Sequence, residues 1–126
     1  MNIVGHPNHV KKALEVGVGV ICAQASERRG HTGDIAASIL IPACVDAVKG
    51  HKSPLTGKLV YVIGAGVVFD GPGLAANLSW GAQGFQVGTR FVASVEAAPK
   101  LCKELVVSAG FEDVLALLSS RDNPCV

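Results

Sequence analysis

The sequence predicts an α/β fold, a parallel sheet built from about four strand–helix units. Three observations predict it. Short apolar runs alternate with helical stretches along the whole chain. The strand-like runs are continuously apolar, as strands covered on both faces require. The 126 residues are 49% hydrophobic but only 5% aromatic, so the core must come from Ala, Val, Leu and Ile packed around 15 glycines.

The elements follow in order. Ile3-Val4-Gly5 is a strand end. Asn8 is the expected N-cap of a helix whose Val10, Ala13 and Leu14 share one face, and Gly17 suits its stop. Residues 18–23 form a buried strand, and residues 24–34 form a polar, charged loop. Residues 35–49 are helical, with Leu40, Cys44 and Val48 in register. Asp34 is this helix's expected cap, and Pro42 is expected to kink or interrupt it. Residues 50–58 are a turn-rich connector. Residues 59–63 form a strand rich in β-branched residues. Residues 70–78 form a helix capped by Asp70 and stopped by Gly81. Phe85-Gln86-Val87 is the last strand, left by the turn Gly88-Thr89-Arg90. Residues 97–108 are helical, with Ala97, Leu101 and Leu105 on one stripe, and residues 111–119 form one more helix.

Composition narrows the function. The formal charge is +1, from 11 basic and 10 acidic residues, which argues against nucleic acid and acidic membrane surfaces as partners. The four cysteines have no CxxC spacing, so no zinc knuckle or thioredoxin-like motif is expected, and no metal site. Cys22 and Cys44 sit in apolar runs and read as buried thiols. No run is long and apolar enough to cross a bilayer. The first residues lack a basic start and a long apolar stretch, so a cytoplasmic chain is expected.

Three segments can carry chemistry. The first is Gly30-His31-Thr32-Gly33, in the loop after the second strand. Loops leaving strand C-termini hold the sites of β/α enzymes. Flanking glycines let a ligand approach His31, whose ordinary pKa of about 6.5 suits proton abstraction near neutrality. Standing alone, the same residue reads first as an exposed loop histidine. The second is Gly64-Ala65-Gly66, whose small residues would let backbone N–H groups face an anion. The dinucleotide fingerprint fails there, because position 69 is Phe69. A tight strand exit is the competing reading. The third is Gln86-Val87-Gly88-Thr89, where Thr89 offers a hydroxyl and Gly88 lets backbone approach a phosphate. Arg90 adds charge or points to solvent. His6 and His9 read as surface residues, and Trp80 and Phe91 as packing residues. Asn77-Leu78-Ser79 matches a glycosylation sequon without a secretory route.

Several motifs in one order resemble the nitronate monooxygenases, formerly called 2-nitropropane dioxygenases. They are Gly30-His31-Thr32-Gly33-Asp34, Leu40-Ile41-Pro42, Phe69-Asp70-Gly71, Gly73-Leu74-Ala75-Ala76 and Val87-Gly88-Thr89-Arg90-Phe91. The resemblance runs from about residue 4 to residue 98. It implies a TIM-type (β/α) barrel that binds FMN non-covalently and oxidises alkyl nitronates or nitroalkanes with O2 to a carbonyl compound and nitrite. It implies His31 as the general base. It places Gln24 and Gly30 near the flavin, and Gly66, Gln86, Gly88 and Thr89 around its phosphate and neighbouring atoms.

The departures are specific. The family's Gly-Gly before the histidine is Arg29-Gly30 here. Its small-Gly-Gly turn is Ala65-Gly66-Val67, and its Asp-Gly-Arg-Gly is Asp70-Gly71-Pro72-Gly73. A complete barrel takes eight βα units and about 250 residues. This chain supplies about four units, resembling the C-terminal half, so a single half-barrel domain over residues 1–126 is expected. A fragment, an alternative product, a degenerate copy and a homodimer that completes the barrel are all compatible with that. A flavin enoyl reductase using NAD(P)H, or a catalytically inert half-barrel, is the functional alternative.

Overall fold

A computed structural model describes residues 1–26, 34–97 and 99–110. The predicted alternation is present. Strand β1 (Asn2–Val4) leads to helix α1 (Asn8–Glu15), β2 (Val20–Gln24), α2 (Ala37–Val48), β3 (Tyr61–Ala65), α3 (Gly71–Ser79) and β4 (Gly84–Gln86). Two further helices follow, α4 (Thr89–Val92) and α5 (Lys100–Ser108). The four strands lie in sequence order, β1-β2-β3-β4, and every neighbouring pair is parallel.

Helices α1, α2 and α3 lie on one face of the sheet. Val10 and Ala13 of α1 and Leu40, Ile41 and Cys44 of α2 form one core with Ile21, Ala23 and Val62 of the strands. Gly64 shows how tightly α2 and α3 sit on β3. A Cβ there would lie 2.9 Å from Ile41 Cδ1 and 2.8 Å from Asn77 Cγ, both shorter than real Cβ contacts. A doubly wound sheet would divide its helices between two faces. Sequential parallel strands with helices on one side are the arrangement of a barrel wall, so the fold is a partial TIM-type barrel.

Local chemistry explains most boundaries. Asp70 caps α3, accepting the Gly73 backbone N–H at 2.8 Å. Gly17 and Gly81 turn the chain out after α1 and α3 at φ +88 and +91, where a Cβ would be strained. The connector 50–58 is held from inside. The buried Ser53 hydroxyl donates to the Gly17 carbonyl at 2.9 Å, tying this loop to the end of α1.

Several expectations are corrected. Asn8 is the first helical residue, not the cap. The N-cap is Pro7, and the Asn8 N–H donates to His6 Nδ1 at 3.0 Å. Asp34 does not cap α2, which begins after Ala36 with no side-chain cap. Pro42 lies inside α2 without interrupting it. Pro42 has no N–H for the carbonyl of Ser38, but Ser38 lies on the exposed side, where water can serve it. The third strand starts two residues later than predicted and takes in Gly64 and Ala65. Thr89 and Arg90 begin α4 rather than completing a turn, and Ala97 precedes α5. Phe91 is 68% exposed and is not a packing residue. The predicted helix over residues 111–119 lies outside the described residues.

Candidate functional site

The strand register builds the site. Gln24 pairs with Ala65, and Ala65 pairs with Gln86, so these three form one row at the C-terminal ends of β2, β3 and β4. Two residues earlier, Cys22, Ile63 and Gly84 form the row beneath. Side chains alternate between faces along a strand, so both rows point away from the helices. Two amide side chains thus flank one methyl group on the barrel's inner face. Gln24 is buried and Gln86 half-buried.

A hydrogen bond joins the rows. The Cys22 Sγ donates to Gln86 Oε1 at 3.2 Å, reaching across β3. Small residues permit this reach, with Ala65 beside Gln86 in its row and Gly84 beneath it on β4. The sequence marked Cys22 only as a buried thiol. Its link to Gln86 depends on strand register, which no local motif encodes.

The loops above the row converge. Gly66 directly follows Ala65 and adopts φ +103, a conformation that favours glycine. Gly88 follows Gln86 by two residues and precedes α4, where Thr89 is exposed. The Arg90 guanidinium donates to the Phe69 carbonyl. That bond ties the loop after β3 to the start of α4, so the two glycine turns are held together. It also gives Arg90 a backbone partner that the sequence did not reveal. Of the Gly64-Ala65-Gly66 motif, only Gly66 belongs to the turn. Gly64 is demanded by α2 and α3 on the opposite face.

Gly88 behaves differently from Gly64. Its φ of −107 is open to any residue, and a Cβ there would meet no atom within 4 Å. Nothing among the described residues requires glycine at that position, whereas an external group seated against the backbone would.

His31 and Gly30 lie outside the described residues. The base of their loop is described. The Ala25 N–H donates to the Ala65 carbonyl at 3.1 Å, and the Ser26 N–H donates to the Ile35 carbonyl at 3.2 Å. The loop therefore leaves and returns beside the Gln24–Ala65–Gln86 row. Among the described residues, no group of three or more His, Cys, Asp or Glu side chains could hold a metal ion. No described helix is long and apolar enough to cross a membrane.

Other polar and reactive groups serve the fold. Asn77 is fully buried and donates through Nδ2 to the Gly84 carbonyl at 2.9 Å, clamping α3 to β4. A glycan could not reach it in this fold. Cys44 is buried in the core, and burial pushes its thiol pKa up to about 11.

Comparison with known proteins agrees with the fold and the motifs. The family model for nitronate monooxygenase matches residues 1–122. A curated relative, the (3aS,4S,5R,7aS)-5-hydroxy-7a-methyl-1-oxo-octahydro-1H-indene-4-carboxyl-CoA dehydrogenase of Mycobacterium tuberculosis, is 37% identical over 86% of this chain and 29% of its own length. FabK from Thermotoga maritima superimposes with a TM-score of 0.76 at 31% identity, covering 88% of this chain and 33% of that one. Nitroalkane oxidase from Streptomyces ansochromogenes gives a TM-score of 0.69 at 26% identity, covering 81% of this chain and 30% of that one. The chain thus spans about a third of the proteins it matches.

Proposed function

The chain belongs to the nitronate monooxygenase family, and from that premise we propose that it supplies the FMN-binding edge and the base-bearing loop of a flavin-dependent oxidoreductase. Its proposed reaction is oxidation of alkyl nitronates by O2 to a carbonyl compound and nitrite. One observation carries the reading. The Gln24–Ala65–Gln86 row lies on the inner face, directly below the joined turns at Gly66 and Gly88–Thr89.

The residues fit the cofactor. Gly88 is a glycine that the packing of the described residues does not require, and the exposed Thr89 hydroxyl stands beside it. Backbone N–H groups at Gly66 and Gly88, with the Thr89 hydroxyl, would hold the phosphate. Gln86 and Gln24 would bind neighbouring polar atoms through their amides, with Gly30 close to the flavin. FMN, when bound, supplies the electron transfer that side chains cannot. His31, carried over by its motif, takes the proton from the carbon beside the nitro group of a neutral nitroalkane. An ionised nitronate needs no base.

The four described strands make half of an eight-stranded barrel. A second copy would supply the rest, pairing each β4 edge with the partner's β1 edge about a two-fold axis. Light scattering then gives a dimer mass; a monomer mass contradicts the pairing. The proposed setting is cytoplasmic.

A second reading is a flavin enoyl reductase using NAD(P)H. The higher TM-score to FabK than to the nitroalkane oxidase favours it, as does the carboxyl-CoA dehydrogenase name of a curated relative. Anaerobic stopped-flow mixing separates the two. The nitronate reading predicts bleaching of chain-bound flavin by an alkyl nitronate and not by NADPH. Bleaching by NADPH alone supports the reductase, and bleaching by neither marks an inert segment.

A further inference from the structure

We infer that Cys22 is a positioning residue that fixes which end of the Gln86 amide faces a bound ligand. The inference rests on the flavin reading above. Gln86 carries one acceptor, Oε1, and one donor, the Nε2 amide. An unrestrained glutamine can present either end by rotating its last torsion. Here the Cys22 thiol donates to Oε1 at 3.2 Å. That bond holds the carbonyl down against the sheet. It leaves the Nε2 hydrogens directed to other partners, and among the described residues none takes them.

The surroundings reinforce this orientation. Cys22 is fully buried in the second strand of the sheet, so its Sγ is a fixed point. Gly84, two residues before Gln86 on the same strand, has no side chain to obstruct the backward lean. A half-buried amide offering donors suits the electron-rich oxygens of a phosphate or a flavin ring. An amide offering Oε1 would repel them. Cys22 therefore selects an acceptor-bearing ligand without touching it, and the buried thiol acts through Gln86.

Fluorescence titration of the full chain with FMN tests this. Cys22→Ala should weaken FMN about fivefold, the scale of one modest hydrogen bond. Cys22→Ser keeps a donor at that place and should stay within about twofold of the unsubstituted chain. Gln86→Ala should weaken binding at least as much as Cys22→Ala. The double variant Cys22→Ala/Gln86→Ala should be no weaker than Gln86→Ala alone, because the inferred role of Cys22 runs through Gln86. A merely structural cysteine would instead give additive losses, and additivity would overturn the inference. So would unchanged affinity in Cys22→Ala. An unsubstituted chain that fails to bind FMN would defeat the flavin reading itself. The pair is still tested without FMN by infrared spectroscopy. The S–H stretching band assigned through Cys22→Ala should rise in frequency in Gln86→Leu, and an unmoved band would overturn the hydrogen bond.

Discussion

Around β2 and β3, Ile21, Leu40, Ile41 and Val62 are fully buried, whereas beyond β4 Phe91, Val95 and Val107 are 68%, 89% and 75% exposed. Both regions carry similar apolar residues. They differ in neighbours. β2 and β3 each have a strand on either side, and α2 packs across both. β4 is an edge strand, and α4 and α5 pack on each other. Apolar sequence buries itself only where a second layer is present to receive it. The proposed site sits on the border between the regions, with Gln24 in the well-packed part and Gln86 on the edge strand. Its position is set by the first region, and its exposure by the second.

Truncating a side chain in each region should have very unequal effects. Leu40→Ala should cost about 2–5 kcal/mol, because the site is enclosed and collapses poorly. Leu101→Ala, at a residue 55% exposed, should change stability by less than about 0.5 kcal/mol. Urea midpoints of the two variants measure the difference. Equal losses would mean that the C-terminal helices share the same core.

Gly64 and Gly88 differ in the same way on a smaller scale. Gly64→Ala drives a methyl into Asn77 and Ile41 and should cost about 1–3 kcal/mol. Gly88→Ala meets open space and should leave stability within about 0.5 kcal/mol while weakening FMN binding. Thermal melts read the first effect, and flavin titration reads the second. A Gly88→Ala chain with unchanged affinity would remove Gly88 from the cofactor site.

A pH dependence is confined to the core. Cys44 has a folded pKa of about 11 against an ordinary 9.0. Between those values the unfolded chain loses the thiol proton while the folded chain keeps it. Its contribution to stability is therefore intact below pH 9.0 and is lost as pH rises toward about 11. Cys44→Ala should flatten that part of the stability curve, followed by urea unfolding at a series of alkaline pH values.

The sequence revealed the elements better than the site. Alternating apolar runs, the Asp70 cap and the stops at Gly17 and Gly81 are local signals, and each appears where expected. Strand boundaries were less legible. Gly64 and Ala65 read as a turn because glycine usually leaves strands, but here the close approach of Asn77 requires it within one. Asn8 reads as the cap of the first helix, but the cap is Pro7, and the His6 ring accepts the Asn8 N–H. At the site, Gly66, Gln86, Gly88 and Thr89 were visible as motif members. The row that unites Gln24 with Gln86, the Cys22 bond and the Arg90 tie were not. Each depends on which strands become neighbours, and that is decided by tertiary packing rather than by any window of sequence.

A flavin site along the C-terminal edge of this half-barrel is the proposal on which the rest depends. Its most direct test is the visible absorbance of the purified chain after incubation with FMN and gel filtration. Flavin absorbance that co-elutes with the protein, with a spectrum shifted from free FMN, is the predicted result. A colourless protein peak with all FMN in the small-molecule fraction would contradict the claim.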